Sequence, residues 1–177
     1  MSLESARAYL KNWQRDQDIL EFSVSSATVE LAAKALNTDP AHIAKTLSFM
    51  VNGKPILVVA SGDKRIDNRK FKQTFGTKPV MLAPEQVEEL IGHQVGGVCP
   101  FGVNEGVTIY LDDSLQDYEF IYPACGSAQS AIQLTPNELA TIVHAAKWID
   151  VCKAKSEEYH VTAQETANRD SNLRQNS

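Results

Sequence analysis

Apolar and polar positions alternate with a period that changes several times along the chain, and each change marks an element. Leu3, Ala6, Leu10 and Trp13 recur at helical spacing and predict a helix over 3–15. Val29, Ala32, Ala33 and Leu36 predict a second helix after Thr28, and Asp39-Pro40 opens a short helical turn through Ala44. The period then drops to two. Leu47, Phe49 and Val51 alternate with Thr46, Ser48 and Met50, and Asn52-Gly53 supplies a hairpin turn. The returning run, 56–60, is apolar at every position, as expected for a central strand covered on both faces.

Asp67 predicts the cap of a helix ending at Gly76, and 80–82 reads as a strand. Pro84 begins a helix with Val87, Leu90 and Ile91 inward and Gly92 just past its end. The glycine-rich stretch 93–106 predicts an irregular loop, and strands are predicted near 107–111, 118–122 and 130–134. Thr135 and Glu138 form a capping box, opening a helix with Leu139, Ile142, Val143, Ala146 and Ile149 inward. From Lys153 onward the chain is polar, which predicts a single folded domain over 1–152 and a disordered tail over 153–177. Strands interleaved with helices predict an α/β (α+β) fold, a mixed sheet or partial barrel surrounded by helices.

Composition narrows the function classes. A hydrophobic content of 43% and a charged content of 22% over 177 residues suit one soluble domain, with a cytoplasmic location and no membrane partner expected. Cys99, Cys125 and Cys152 have neither CxxC nor Cys/His spacing, so no metal or other cofactor is expected. A net charge of -5 argues against a surface that coats nucleic acid, and DNA is not an expected partner. It leaves room for a local basic patch such as Lys64, Arg65, Arg69 and Lys70, although such a run also reads as a solvated helix face.

Candidate chemistry lies in three further segments. Lys45 would share a strand face with Leu47, Phe49 and Val51, its stem packed and its head seeking an anion; taken alone, it reads as a snorkelling lysine at a strand end. In 95–102, Gly96 and Gly97 free the backbone and Pro100 stiffens its exit, an arrangement that suits either an oxyanion site or an ordinary tight turn. Cys99 in the same loop raises a thiol nucleophile, with His93 near in sequence, against the alternative of a structural cysteine. In 123–134, small residues with Ser127 and Ser130 could wall a pocket or allow close packing.

In this order, "IAKTL" (43–47), "SGDKRIDNRKF" (61–71), the Gly-x-x-x-Pro loop from Gly96 to Pro100 and "ACGSAQSAIQL" (124–134) resemble the YbaK/ProX family. These are free-standing relatives of the editing insertion domain of bacterial prolyl-tRNA synthetases. The resemblance runs from about Ser26 to Thr141 and implies a mixed, barrel-like sheet surrounded by helices. It implies metal-independent hydrolysis of the ester between a small mischarged amino acid and tRNA, with a tRNA for proline as the type and a synthetase as a further partner. Lys45 and Gly96 take the catalytic positions; Thr46, Gly97, Val98, Cys99, Pro100, Gly126 and Ser127 the substrate-binding ones. Lys64, Arg65, Arg69 and Lys70 are placed against the tRNA. Two positions depart from members that clear cysteine: Ala131 stands where they carry an aspartate, and Cys99 where serine is frequent. The alternative is a tRNA- or synthetase-binding module of the same fold without hydrolysis.

Overall fold

The computed structural model of the chain describes residues 2–155. Five helices surround a mixed five-stranded sheet. The helices are α1 (Ser2–Lys11), α2 (Val29–Leu36), α3 (Asn68–Phe75), α4 (Pro84–Ile91) and α5 (Pro136–Ile142). The sheet is built on the hairpin of β2 (Ile43–Val51) and β3 (Lys54–Ser61), paired antiparallel from Ala44 opposite Ser61 to Val51 opposite Lys54. Asn52 and Gly53 both take positive φ (50° and 77°), which a tight hairpin turn requires. Strands β5 (Thr108–Asp112) and β6 (Tyr122–Pro123) join β3 and β2 in parallel, and β8 (Trp148–Ile149) joins β5, giving the order β6-β2-β3-β5-β8. Two small sheets flank it: β1 (Leu20–Glu21) with β7 (Ser130–Ala131), and β4 (Lys64–Ile66) with β9 (Cys152–Ala154).

Period two sorts the central strands onto two cores. Ala44, Leu57, Val59, Ile109 and Leu111 face the larger core, where α1, α4 and α5 contribute Leu10, Ile91 and Leu139. Phe49, Val51, Ile56, Val58 and Ala60 face a smaller core closed by Phe71 of α3 with Ile149 and Val151. The apolar run in β3 therefore reflects cover on both faces.

Three expectations differ from the structure. The helix opened by Thr135 stops at Ile142; His144 takes positive φ (51°), and Ala146 donates its N–H to the Ile109 carbonyl, so that Ile149 continues into β8 instead of lying on the helix. Expected strands at 80–82 and 118–122 are mostly irregular, each reduced to a local bridge or a two-residue pairing, Met81 opposite Phe49 and Ile121 opposite Leu134. Lys153 and Ala154, at the start of the polar segment, pair with β4; residues 156–177 of that segment lie outside the described residues.

Candidate active site

A cleft of about 310 Å³ runs along the β2 edge of the sheet. Its lining comes from 26–29 and α2, from 43–48 of β2, from Met81, Leu82, Pro84 and Val87, from the loop at Val95, Gly96 and Val98, and from 122–131. Among the described residues that line it there is no carboxylate, imidazole or thiol.

The cleft sits where the edge of β2 is unoccupied. At one end β6 pairs with Ile43 and Ala44; at the other, the Ser48 carbonyl accepts from Leu82 N–H, and Met50 N–H donates to the Val80 carbonyl. Backbone groups that point to the same edge recur every second residue, so Thr46 directs its N–H and C=O into the gap between these two attachments. Among the described residues no strand is paired there, and the buried Thr46 hydroxyl has no hydrogen-bond partner.

Lys45, the adjacent residue, has the opposite side-chain direction. Its ammonium donates to the Lys64 carbonyl of β4, and its half-buried stem stands beside the cleft. Desolvation lowers its pKa most; Lys155 adds to the lowering, while Cys152, Asp63 and Glu30 oppose it. The ammonium is thus partly desolvated and donates to one backbone carbonyl, with the Asp63 and Glu30 carboxylates partly offsetting the cost of its burial.

The glycine loop forms another wall. Gly96 has φ 91° with open space where a Cβ would project, and it lines the cleft with Val98. Gly97 does not line it. A Cβ there would lie 2.4 Å from the Gly126 carbonyl oxygen, so Gly97 is the point at which the loop docks on 126–127. Gly126 in turn packs on the Ser2 carbonyl at the start of α1. Ser127 lines the cleft and donates to the Ser130 hydroxyl at 2.8 Å. Of the expected substrate-binding positions, Thr46, Val98 and Ser127 line the cleft, whereas Gly97, Cys99, Pro100 and Gly126 do not.

Cys99 is fully buried, and burial pushes its thiol up to about 12. His93 does reach it, with Nε2 at 3.4 Å from Sγ, but the same Nε2 lies 2.6 Å from the Phe101 carbonyl oxygen. A carbonyl only accepts, so Nε2 must carry the proton and cannot take one from the thiol. His93 is no base for Cys99, and the nucleophile reading fails on both access and tautomer.

The basic segment divides. Lys70 donates to the Asp150 carboxylate at 3.0 Å and to the Cys152 carbonyl at 2.9 Å, tying α3 to the end of the fold. Lys64 and Arg65 are half-buried in β4, and Arg69 is exposed on α3. None of the four lines the cleft. Residues that do line it without having been singled out from sequence include Val29, Met81, Val95, Tyr122 and Ala124. Val95 and Ala124 fall within the two candidate segments 95–102 and 123–134, whereas Val29, Met81 and Tyr122 carry only apolar spacing, which does not distinguish a cleft wall from a core.

Comparison with known proteins identifies relatives of the whole fold. A family model for the aminoacyl-tRNA editing domain matches residues 24–142, which include every lining segment of the cleft. The chain is 51% identical over 154 residues to the uncharacterized protein YwhH of Bacillus subtilis, covering 86% of this chain and 98% of that one. Proline–tRNA ligase of Aquifex aeolicus is 37% identical over 90 residues, half of this chain but 16% of the ligase. A solved protein proposed as a trans-editing enzyme for prolyl tRNA synthetase superposes with a TM-score of 0.78 at 28% identity, over 86% of this chain and 98% of the other. The chain belongs to the aminoacyl-tRNA editing domain family.

Proposed function

We propose that this protein acts in trans as a deacylase, hydrolysing the ester that joins a small, wrongly attached amino acid to the 3′ end of a tRNA, with a tRNA for proline as the type. The observation that carries the reading is the unpaired edge at Thr46, which faces a cleft that Gly96 also lines. Backbone donors on preorganised strands and glycine turns are what a developing oxyanion needs. The family membership and the partial match to a proline–tRNA ligase support the substrate class and a synthetase as a further partner.

In the proposed reaction a water oxygen attacks the ester carbonyl carbon, the bond to the ribose oxygen breaks, and that oxygen takes up the proton the water releases. The products are a free amino acid and a tRNA with its terminal hydroxyl restored. In this reading the backbone N–H groups of Gly96, Val98 and Thr46 hold the carbonyl oxygen, while that of Gly97 is donated to the Gln94 carbonyl and braces the turn. Lys45 supplies a positive charge to the terminal phosphate after its ammonium leaves the Lys64 carbonyl. Met81 and Val95, 58% and 64% exposed and both lining the cleft, offer an apolar contact to the terminal nucleobase.

Purified protein is assayed against a panel of tRNAs charged with alanine, serine, threonine or cysteine, with Lys45→Ala beside it. Hydrolysis of at least one, reduced about 100-fold or more by the substitution, is expected. A Lys45→Ala protein working at the normal rate removes Lys45 from the mechanism. No hydrolysis across the panel with tRNA binding retained would make the chain a binding module.

A further inference from the structure

We infer that His93 is a positioning residue for the proposed deacylation, a neutral clasp that closes the base of the glycine loop and sets where Gly96 and Val98 stand against the substrate. The inference rests on the deacylase reading but uses a residue that lies outside the cleft.

The clasp is visible in the hydrogen bonds. His93 follows the left-handed cap of α4 at Gly92, is fully buried, and donates Nε2–H to the Phe101 carbonyl at 2.6 Å. That one bond joins the two ends of a loop whose middle forms the cleft wall. The Cys99 thiol converges on the same carbonyl at 3.6 Å, and the next residue, Gln94, donates its N–H to the Ser2 hydroxyl at 2.8 Å. Between these anchors the loop rests on Gly97 against Gly126. Catalysis by oriented backbone donors is sensitive to small displacements, so a loop held at its ends transmits the state of the clasp to the reacting centre.

The other ring nitrogen makes the clasp conditional. Nδ1 is buried and has no hydrogen-bond partner among the described residues. A second proton would create a donor with no acceptor among the described residues, and the titratable side chain within hydrogen-bonding reach of the ring is the buried Cys99. Burial, the largest cause, lowers the pKa of His93 below its ordinary 6.5, with the Phe101 carbonyl opposing. A depressed histidine keeps its contribution above 6.5 and loses it as pH falls through the lowered value. The clasp is therefore closed at neutral pH and opens on the acid side.

His93→Gln keeps an N–H donor that can reach Phe101 and removes the titration; His93→Leu removes both. The expected result is a kcat reduced about tenfold or more in His93→Leu with KM within about twofold, since binding elsewhere in the cleft is untouched. His93→Gln is expected to keep kcat within about threefold and to lack the acid limb that the wild type shows. A folded His93→Leu protein with wild-type kcat and an unchanged acid limb would overturn the inference. A second readout needs no activity. Labelling of Cys99 by 4,4′-dithiodipyridine, followed by peptide mass spectrometry and divided by the rate of a free thiol at the same pH, should rise on the acid side in the wild type and stay flat in His93→Gln. Cys125 and Cys152 report global unfolding in the same digest. Wild-type protein that hydrolyses nothing sinks the deacylase reading, and the labelling still decides the clasp; pH-independent labelling of wild-type Cys99 sinks the clasp alone.

Discussion

Gly97→Ala tests whether the glycine loop is built by contact or by flexibility. The added methyl would lie 2.4 Å from the Gly126 carbonyl oxygen and 2.8 Å from its carbon, both backbone atoms. Ordinary contact begins about 1 Å further out, so one chain must retreat. Gly126 has no room to do so, because its own Cβ position is 2.2 Å from the Ser2 carbonyl oxygen. The displacement therefore falls on the loop, and it carries Gly96 and Val98 with it. Overpacking of this kind costs about 1–3 kcal/mol, equivalent to roughly 2–12 °C in midpoint for a chain of this length. The activity should fall further than the stability, because the moved segment is the one proposed to hold the ester. Thermal unfolding by circular dichroism and single-turnover deacylation measure the two effects. Gly96→Ala is the control: it meets no atom within 4 Å, and its cost is the positive φ alone, roughly 1–2 kcal/mol. A Gly97→Ala protein with wild-type midpoint and rate would refute the docking argument.

Cys99→Ala should retain deacylation within about threefold, since a thiol at about 12 is ionised in roughly one molecule in 10⁵ at neutral pH; abolished activity in a folded protein would restore the nucleophile. Met81→Glu should raise KM for aminoacyl-tRNA by about tenfold while leaving kcat nearly unchanged, because it places a charge where the base is proposed to rest; steady-state kinetics decide, and an unchanged KM removes the contact. Lys45→Met should lose activity and relieve the desolvated charge. Its pKa is lowered from 10.5, so the unfolded chain binds more protons between the lowered value and 10.5. The gain of the methionine variant relative to wild type should be full at neutral pH and shrink as pH rises through that window, read by urea unfolding at neutral pH and near about pH 10. A gain that grows with pH would contradict the assignment.

The hairpin, the apolar β3 and the caps at Thr28, Asp67 and Thr135 were legible because each depends on neighbours in sequence: alternation, a turn dipeptide, or a side chain reaching a nearby N–H. The end of α5 was not, since Ala146 and Ile149 keep helical spacing but are drawn into pairing with β5 across the fold. Lys45 and Gly96 could be singled out by residue type and motif. Which glycine faces the cleft could not, because Gly96 and Gly97 differ only in what lies opposite, and Gly126 is distant in sequence. The His93–Cys99 pair shows the same limit: sequence proximity suggested a catalytic pair, whereas the tautomer is fixed by the Phe101 carbonyl and the access by burial.

The alternation of β2 separates two tasks between adjacent residues. Lys45 points toward the β4 side of the strand, where its ammonium meets a carbonyl that a phosphate could replace, while Thr46 opens to the unpaired edge between β6 and the 80–82 segment. Successive residues of a strand face opposite ways, so a lysine-threonine step brings an anion-seeking charge and a free main-chain edge to the same cleft without the two competing for one partner. Exchanging the two residues would keep the composition but send the ammonium into the larger core side and the hydroxyl toward Lys64. The double variant Lys45→Thr with Thr46→Lys should consequently lose deacylation as fully as Lys45→Ala does. Recovery of substantial activity by the exchanged protein would show that charge near the cleft, and not its side of the strand, is what the reaction uses.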